Sequence, residues 1–351
     1  MIITNLIKVI FINFLILFIG IFIIELIFGN WFNNKNLSNL LLSIDKHRLI
    51  SNLPYKSDKP ALYTTDSNGF RANKHELSQI DILIIGGSTT EQKLIDDNLI
   101  WTKILEKNLN SDNFSYTLNA GIGGQTSFGH VKIFDLWLSR FEKLNPKIII
   151  IYIGINDALF MIENIDDNID YDKGRLMSNK NRDFLEIENR IENYFQFLKN
   201  NSAIILFFKM IKGNLISLKY DFGYFKKPFI FETPTKTIDT IELKVDNKQI
   251  LNYLKKYQNN LIELNKIIIK SKAVPIFVTQ NVSSNHWIKK YLYIINNETT
   301  NYCNSTNTIC FDLASELYLD DEDFYDGIHN NPSGSKKVAD YLYKKLESLN
   351  N

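Results

Sequence analysis

From residue 81 onward the chain alternates short apolar runs with longer stretches of helical periodicity. The apolar runs are Ile82–Ile85, Tyr116–Leu118, Ile148–Ile153, Val274–Val278 and Ile309–Leu313, and the helical stretches are Asn98–Asn108, Phe128–Leu144, Lys248–Lys272 and Ser333–Leu349. This alternation predicts βαβ units, and therefore a parallel sheet covered by helices on both faces. Ligands of such sheets bind beyond the carboxyl ends of the strands, so the loops that leave the strands are the candidate functional segments.

The N-terminus carries one long apolar run, Val9–Phe28, which reads VIFINFLILFIGIFIIELIF. At about 1.5 Å per residue, its length matches the hydrocarbon core of a bilayer. Trp31 and Phe32 follow the run, where interfacial aromatic residues are favoured. A cleaved signal peptide would have a shorter apolar region that ends in small residues. We therefore expect residues 1–30 to form an uncleaved transmembrane anchor, in which Glu25 costs little if it lies near the interface.

Charge does not decide on which side of the membrane the rest of the chain lies. Lys8 precedes the apolar run, and Lys35, Lys46 and Arg48 follow it. The positive-inside rule, taken literally, favours a cytoplasmic domain, although the three later residues are not adjacent to the run. Both sides stay open on this evidence.

The composition excludes several classes of function. The 351 residues carry a formal net charge of +1, so the chain has no basic footprint for nucleic acid. Cys303 and Cys310 form no CxxC motif or Cys/His cluster, which argues against a structural zinc site. They either close a short loop as a disulfide outside the cytoplasm or are two ordinary small apolar residues.

Two segments lack the regular alternation. Residues 31–80 are a polar connector with a turn signal at Asn68-Gly69. Residues 158–246 are rich in Phe, Tyr, Asn and Lys, and their apolar stretch Ala203–Ile211 is too short to span a bilayer. We expect this insertion, within an α/β domain over 81–351, to be a helical subdomain. The alternatives are a lid, or a face that rests on the membrane near the anchor.

A serine follows the first apolar run of the regular part, in the stretch DILIIGGSTTEQ. Ser88 and Glu91 fit a capping box, in which the serine is the N-cap of a helix. Alternatively, Ser88 is a nucleophile. That role requires a base to remove its proton, an acid to orient the base, and donors for an oxyanion.

Of five histidines in the chain, His329 lies in the context most suited to such a base, FYDGIHNNPSGSKKVADYL. Asp326 precedes it in an Asp-x-x-His arrangement, so the carboxylate can accept from one imidazole nitrogen while the other faces a nucleophile. The dense acidic run DDEDFYDG could instead hold a cation, but its Asp spacing does not match an EF-hand.

Two further loops offer hydrogen-bond donors. NAGIGGQTS, residues Asn119–Ser127, follows the second apolar run, and GIND, residues Gly154–Asp157, follows the third. Glycines let backbone N–H groups approach a reacting centre closely, and an Asn side chain can donate to an oxyanion. Both loops also have structural interpretations, as a glycine turn and as a helix start. Neither GxGxxG nor a GK[ST] phosphate loop occurs in the sequence.

The four blocks GGSTTEQ, NAGIGGQTS, GIND and DGIH together resemble the SGNH (GDSL-like) hydrolase superfamily. The resemblance covers residues 81–349, less the middle insertion, and implies a flavodoxin-like three-layer αβα sandwich with a parallel sheet. The first block of that family usually reads Gly-Asp-Ser, and in this chain Gly87 occupies the position of the Asp. The departure leaves the acid–base residues in place and bears on the geometry around the serine.

The resemblance also implies the site residues. Ser88 corresponds to the nucleophile, His329 to its base and Asp326 to the acid that orients the base. The oxyanion hole would consist of the backbone N–H groups of Ser88 and Gly124 and the side-chain amide of Asn156.

The function implied by the resemblance is that of a membrane-anchored serine ester hydrolase or acyltransferase, which requires no metal or organic cofactor. Anchored members often act on acyl groups, including O-acetyl groups, of cell-envelope carbohydrate, which would place the domain outside the cytoplasmic membrane. Lipid or lysophospholipid esters are a rival substrate class. A non-catalytic, membrane-tethered protein for glycan binding or assembly is an alternative of another class, supported by Gly87 alone.

Overall fold

The computed structural model describes residues 2–29, 31, 42–110, 115–163, 202–205, 207, 208 and 247–350. The chain divides into two compact units. One contains Met1–Leu40 and Ser178–Phe222, and the other contains Leu41–Met177 and Gly223–Asn351. Most of the predicted insertion at 158–246 lies outside the described residues.

The larger unit is built on a five-stranded parallel sheet with the order β4-β3-β5-β6-β7. Its strands are β3 (Ile80–Gly86), β4 (Tyr116–Gly121), β5 (Ile148–Tyr152), β6 (Val274–Val278) and β7 (Ile309–Phe311). This order is that of a flavodoxin-like doubly wound fold, in which the direction of winding reverses beside the first strand of the sheet. The predicted fold class is therefore confirmed.

Helices cover the sheet in two layers. Helices α3 (Trp101–Asn110) and α9 (Pro332–Asn350) pack against each other on one side of the sheet. Their buried apolar side chains, including those of Trp101 and Leu342, join residues of β3, β5, β6 and β7 in one core cluster. The other helical group comprises α4 (Ser127–Leu136), α5 (Ile155–Glu163), α6 (Asn247–Lys270) and α7 (Lys289–Thr306), which pack on one another.

The shorter elements lie at the ends of strands. Helix α2 (Ser88–Glu91) follows β3, and α8 (Leu313–Glu316) follows β7. Strand β7 ends at Phe311, because α8 begins at Leu313 and the Ala314 N–H donates to Thr279 Oγ1. The predicted strand Ile309–Leu313 is therefore two residues too long. Cys303 and Cys310 are free thiols, so the alternative of two ordinary small residues describes them.

Residues 42–79 belong to the larger unit and hold an antiparallel hairpin of β1 (His47–Ile50) and β2 (Ala61–Thr64). Arg71, which follows the hairpin, is buried and its N–H donates to the carbonyl of Asn119 at the end of β4. The hairpin segment is thereby fastened to the carboxyl edge of the sheet.

The smaller unit contains α1 (Ile2–Phe28), whose residues Lys8–Phe28 are long and apolar enough to cross a membrane. Its large apolar side chains are exposed, as an element surrounded by lipid requires. An N-terminal signal sequence has the same features.

Candidate active site

Ser88 lies where β3 ends at the carboxyl edge of the sheet. The N-cap of α2 is Gly87, and no side chain caps this helix, so Ser88 is not the capping residue that the capping-box alternative required. Its hydroxyl is 2.7 Å from Nε2 of His329, 241 positions later in the chain. The fold therefore brings these two side chains into direct hydrogen-bond contact.

His329 is held by Asp326 on its other side. Nδ1 of His329 lies 2.6 Å from Oδ2 of Asp326, so the ring donates from Nδ1 and Nε2 is left to accept from the Ser88 hydroxyl. The backbone N–H groups of Ile328 and His329 donate to Oδ1 of Asp326 at 3.0 and 2.7 Å. Burial alone would raise the pKa of Asp326, but the hydrogen bonds from the His329 ring and from the two backbone N–H groups hold it below its usual value. The carboxylate is therefore ionised and its orientation is fixed.

Tyr325 fixes the plane of the imidazole. Its ring stacks on that of His329 with centroids 5.5 Å apart and an interplanar angle of 9°. The backbone N–H of Tyr325 also donates to the carbonyl of His329. The loop that carries Asp326 and His329 is thus held together by a hydrogen bond between its own ends.

The loops after β4 and β5 meet beside Ser88. The side-chain amide of Asn156 donates to the carbonyl of Gln125 at 2.9 Å, which leaves its second N–H for another acceptor. Gly124 has a φ of 75°, a conformation that glycine adopts without strain. Within the described residues, the backbone N–H groups of Ser88 and Gly124 donate to no protein acceptor. The three groups predicted as donors therefore lie on the segments that follow β3, β4 and β5 at the carboxyl edge of the sheet.

Asp157, which the sequence did not single out, ties these two loops together. It is buried, and its carboxylate accepts from the Ser127 N–H at 3.0 and 3.1 Å and from the Ser127 hydroxyl at 2.5 Å. Asn260 of α6 donates to the same hydroxyl. Because a buried carboxylate is stabilised only when it is hydrogen-bonded, this contact keeps the loop after β4 at a fixed distance from Asn156.

The structure gives a physical account of Gly87. A Cβ atom on this residue would lie 2.5 Å from Nδ2 of Asn156, closer than two such atoms can approach. In this chain, the absence of a side chain at position 87 therefore allows the Asn156 amide to lie over the start of α2.

We expect Gly87→Ala to displace the Asn156 amide and, if that amide is the oxyanion donor that the resemblance implies, to lower kcat by about 10²-fold. The measurement is steady-state hydrolysis of p-nitrophenyl acetate by the single variants and by the double variant with Asn156→Ala. Since both changes act on one amide, the double variant should be no slower than Asn156→Ala. Full activity of Gly87→Ala would contradict this account.

The hairpin segment forms one wall of the site. The Arg71 guanidinium lies 4.4 Å from the Tyr63 ring centroid, forms an ion pair with Asp97, and donates to the carbonyl of Glu91 at 3.1 Å. The Glu91 carboxylate accepts from the Tyr63 hydroxyl at 2.8 Å and from the Gly123 N–H at 3.0 Å. Glu91 therefore links the hairpin segment, α2 and the loop after β4.

These walls enclose a cavity of about 620 Å³ that opens onto Ser88 and His329. Its lining includes Leu42, Ser43, Asn52, Pro54, Tyr63, Thr65, Gly69, Arg71, Ser88, Glu91, Lys93, Leu94, Gly121, Ile122, Gly123, Gly124, Tyr325, Asp326 and His329.

The acidic run next to His329 is occupied by protein contacts. Asp321 accepts from Ser283 and Ser284, and Asp323 is paired with Lys337 at 2.6 Å. In the part of the chain that the structure describes, no group of three or more His, Cys, Asp or Glu side chains is arranged to hold a metal ion.

A doubly wound sheet with a serine, a histidine and an aspartate in one hydrogen-bonded chain at its carboxyl edge defines a class of α/β protein that includes many hydrolases. The family model of the GDSL-like lipase/acylhydrolases matches residues 82–342. The chain belongs to this family and is an ester-hydrolysing enzyme.

Several solved structures are similar to this chain at low identity. An acetylxylan esterase of Geobacillus stearothermophilus, in a catalytic mutant, is 13% identical, with 76% of this chain and 93% of that chain covered and a TM-score of 0.42. A psychrotrophic esterase of a Pseudoalteromonas species is 16% identical, with 77% and 98% covered and a TM-score of 0.41. A member of the lipolytic G-D-S-L family from Veillonella parvula is 11% identical, with 76% and 97% covered and a TM-score of 0.42. A search among curated proteins gave no match.

Proposed function

We propose that this chain is a membrane-anchored serine esterase in which Ser88 is the nucleophile, His329 the general base and Asp326 the acid that orients the base. The observation that carries the proposal is the continuous hydrogen-bonded chain from Ser88 Oγ through the His329 ring to Asp326 Oδ2, with distances of 2.7 and 2.6 Å. A serine hydroxyl becomes a nucleophile when such a base accepts its proton.

The reaction follows from this geometry. Nε2 of His329 takes the Ser88 proton as Oγ forms a bond to the ester carbonyl carbon, and the carbonyl oxygen becomes an oxyanion. The oxyanion accepts from the N–H groups of Ser88 and Gly124 and from the Asn156 amide. The alcohol then leaves with the proton from His329, and an acyl group remains on Ser88. Water, deprotonated by His329, releases it as a carboxylic acid; an alcohol in the place of water would give acyl transfer.

Asn156→Ala should lower kcat about 10²–10³-fold and leave KM nearly unchanged, because the amide contacts charge that develops only in the transition state. Steady-state kinetics with p-nitrophenyl acetate measure both constants. Asn145→Ala is a matched control, since the Asn145 amide donates to the Glu142 carbonyl on an exposed surface. A change in KM alone would show that Asn156 binds the ground state and is not an oxyanion donor.

The cavity supports a short acyl ester of a carbohydrate as the substrate. Its volume of about 620 Å³ accommodates a small acyl group and a sugar ring. Asn52, Lys93 and Glu91 bring polar groups to the walls, and the partly exposed ring of Tyr325 adds apolar surface. Leu42, Leu94 and Ile122 also line the cavity, so a lysophospholipid is the second candidate substrate.

The test compares p-nitrophenyl acetate with p-nitrophenyl octanoate and follows acetate release from a fully acetylated methyl glycoside. We expect kcat/KM to fall about tenfold or more from acetyl to octanoyl, because part of the longer chain would meet the polar groups of Asn52, Lys93 and Glu91. Acetate should be released from the glycoside. Faster hydrolysis of the octanoyl ester would favour the lipid-esterase alternative, and no hydrolysis of any ester would contradict the whole proposal.

We further propose that α1 anchors the protein and that the catalytic unit lies outside the cytoplasm, where envelope carbohydrate is found. An alkaline phosphatase fused after Asn351 should then be active in cells, and a fluorescent protein that folds only in the cytoplasm should stay dark at the same position. The opposite pair of results would place the unit in the cytoplasm, as the positively charged residues after the span favour.

A further inference from the structure

The apolar helix α1 contains one acidic residue, Glu25, three positions before its end. At about 1.5 Å per residue, its Cα lies roughly 4.5 Å along the axis from that of Phe28, within the apolar span. A carboxylate at such a depth is unfavourable unless hydrogen-bond donors surround it. The structure supplies donors from two places in the sequence.

One donor follows the helix, and three come from the insertion. Nε1 of Trp31 donates to Glu25 Oε2 at 3.0 Å. The Ser202 hydroxyl donates at 2.6 Å, and the backbone N–H groups of Ala203 and Ile204 donate at 2.8 and 3.3 Å. All of these residues belong to the same compact unit as α1. The carboxylate is therefore satisfied by residues about 180 positions away in the sequence.

The three later donors mark the start of a second helical piece, at residues 203–205, 207 and 208. The first N–H groups of a helix have no partner within the helix, and inside a bilayer no water can satisfy them. Glu25 and the start of this piece thus satisfy one another. When they are hydrogen-bonded to each other, the Glu25 carboxylate and these N–H groups can lie deeper in the bilayer than either could alone.

The described residues of the second piece are apolar, and two of them are exposed aromatic side chains. Ser202 and Ala203 are buried against the Glu25 contact, whereas Phe207 is 55% exposed and Phe208 63% exposed. The two Phe rings contact each other in a T-shaped arrangement, with centroids 6.2 Å apart. A pair of exposed Phe side chains is unfavourable in water, and the helix to which this piece is hydrogen-bonded also exposes its large apolar side chains.

We propose that residues 202–205, 207 and 208, here called the Glu25-capped segment, form a second element that enters the lipid bilayer beside α1. Phe207 and Phe208 insert among the acyl chains, and Glu25 fixes the segment to the anchor. Lipid is the occupant that the structure favours, because the segment is hydrogen-bonded to Glu25 of a helix that is long and apolar enough to span the membrane. This inference rests on the anchor proposed above and is independent of the catalytic chemistry.

The experiment uses the full chain, with Cys303 and Cys310 replaced by alanine, in phosphatidylcholine vesicles. A nitrobenzoxadiazole label is placed on Phe208→Cys, on Phe18→Cys within α1 and on Tyr318→Cys, which is 80% exposed in the larger unit. Lipid-borne nitroxide and aqueous iodide then quench the label from the two sides. We expect nitroxide quenching at position 208 to be at least about half of that at position 18, and iodide quenching to be about fivefold weaker than at position 318.

A second variant tests the role of the carboxylate. Glu25→Ala should move the label at position 208 towards iodide quenching while the label at position 18 stays in lipid, and Glu25→Gln, which keeps an acceptor oxygen, should restore part of the protection. Iodide quenching at position 208 equal to that at position 318 would overturn the proposal. Protection from both quenchers would also overturn it, because a protein surface would then cover the segment. A label at position 18 that lipid nitroxide does not quench would refute the anchor itself, which separates the two failures.

Discussion

Replacing Ser88 with alanine should lower kcat for p-nitrophenyl acetate by a factor on the order of 10⁴ to 10⁶, the loss typical of a serine nucleophile removed from a triad. The hydroxyl contacts Nε2 of His329 at 2.7 Å, and nothing else in the described site can replace it as the atom that bonds the acyl carbon. A fluorophosphonate probe gives a second measurement, because it phosphonylates an activated serine and releases fluoride. Labelling should be lost in the variant.

The control for this experiment is Ser139→Ala, a serine in the same unit whose hydroxyl donates to the Asp135 carbonyl on an exposed surface. Its activity and labelling should match those of the unaltered protein. Ser88→Ala should remain folded, since it loses one partly exposed hydrogen bond, which contributes about 1 kcal/mol to the free energy of unfolding. Unchanged labelling of folded Ser88→Ala would refute the assignment of the nucleophile.

The core of the sheet could be predicted from sequence because the strands of a buried parallel sheet are continuous apolar runs. Val274–Val278 was predicted at both ends as the structure has it, and the other strands differ by a few residues. Helix α7 was not predicted. It is rich in Asn and Thr, and polar residues occupy buried positions of the helix. Asn296, for example, is buried and exchanges hydrogen bonds with the backbone of Gln280. Because polar residues occupy such buried positions, the sequence of α7 lacks the regular spacing of apolar residues that indicates a helix.

The wall of the cavity was also missing from the prediction, for a different reason. Residues 31–80 are polar and show no long periodicity, so they were interpreted as a connector. In the structure, Arg71 of this region is buried by an ion pair with Asp97 and by hydrogen bonds to carbonyls about twenty residues away. Such an arginine is recognisable only when its partners are known, because exposed and buried arginines look alike in a sequence.

The contact between Ser88 and His329 was expected from the resemblance of the four blocks to the SGNH superfamily, because the residues alone left both a cap and a nucleophile possible for Ser88. The contacts that position the neighbouring loops were different. Asp157 was grouped with Asn156 as part of GIND, yet its carboxylate accepts from Ser127, thirty positions earlier. Pairings of this kind depend on the order of the strands in the sheet, which periodicity alone does not determine.

The prediction with the next largest effect concerns Asp326. In the structure, Oδ1 accepts two backbone N–H groups and Oδ2 accepts the Nδ1–H of His329. In Asp326→Asn, we expect the remaining side-chain oxygen to keep the two backbone N–H contacts, because they outnumber the single contact to the ring. The amide N–H₂ group then points at Nδ1 of His329, and the proton of the ring moves to Nε2. The Ser88 hydroxyl then has no acceptor, and kcat should fall about 10⁴-fold, as the same change does in other serine hydrolases.

The charge-matched control is Asp321→Asn, in the same acidic loop, whose carboxylate accepts from Ser283 and Ser284 on the surface. It removes the same charge without touching the imidazole, so its kcat should stay within about twofold of the unaltered value. The two variants are compared by kcat for p-nitrophenyl acetate and by the rate of fluorophosphonate labelling, which reports directly on the nucleophilicity of Ser88. Equal losses in both variants would mean that the loop acts through net charge. A loss confined to Asp326→Asn means that the carboxylate acts by fixing which nitrogen of His329 carries the proton.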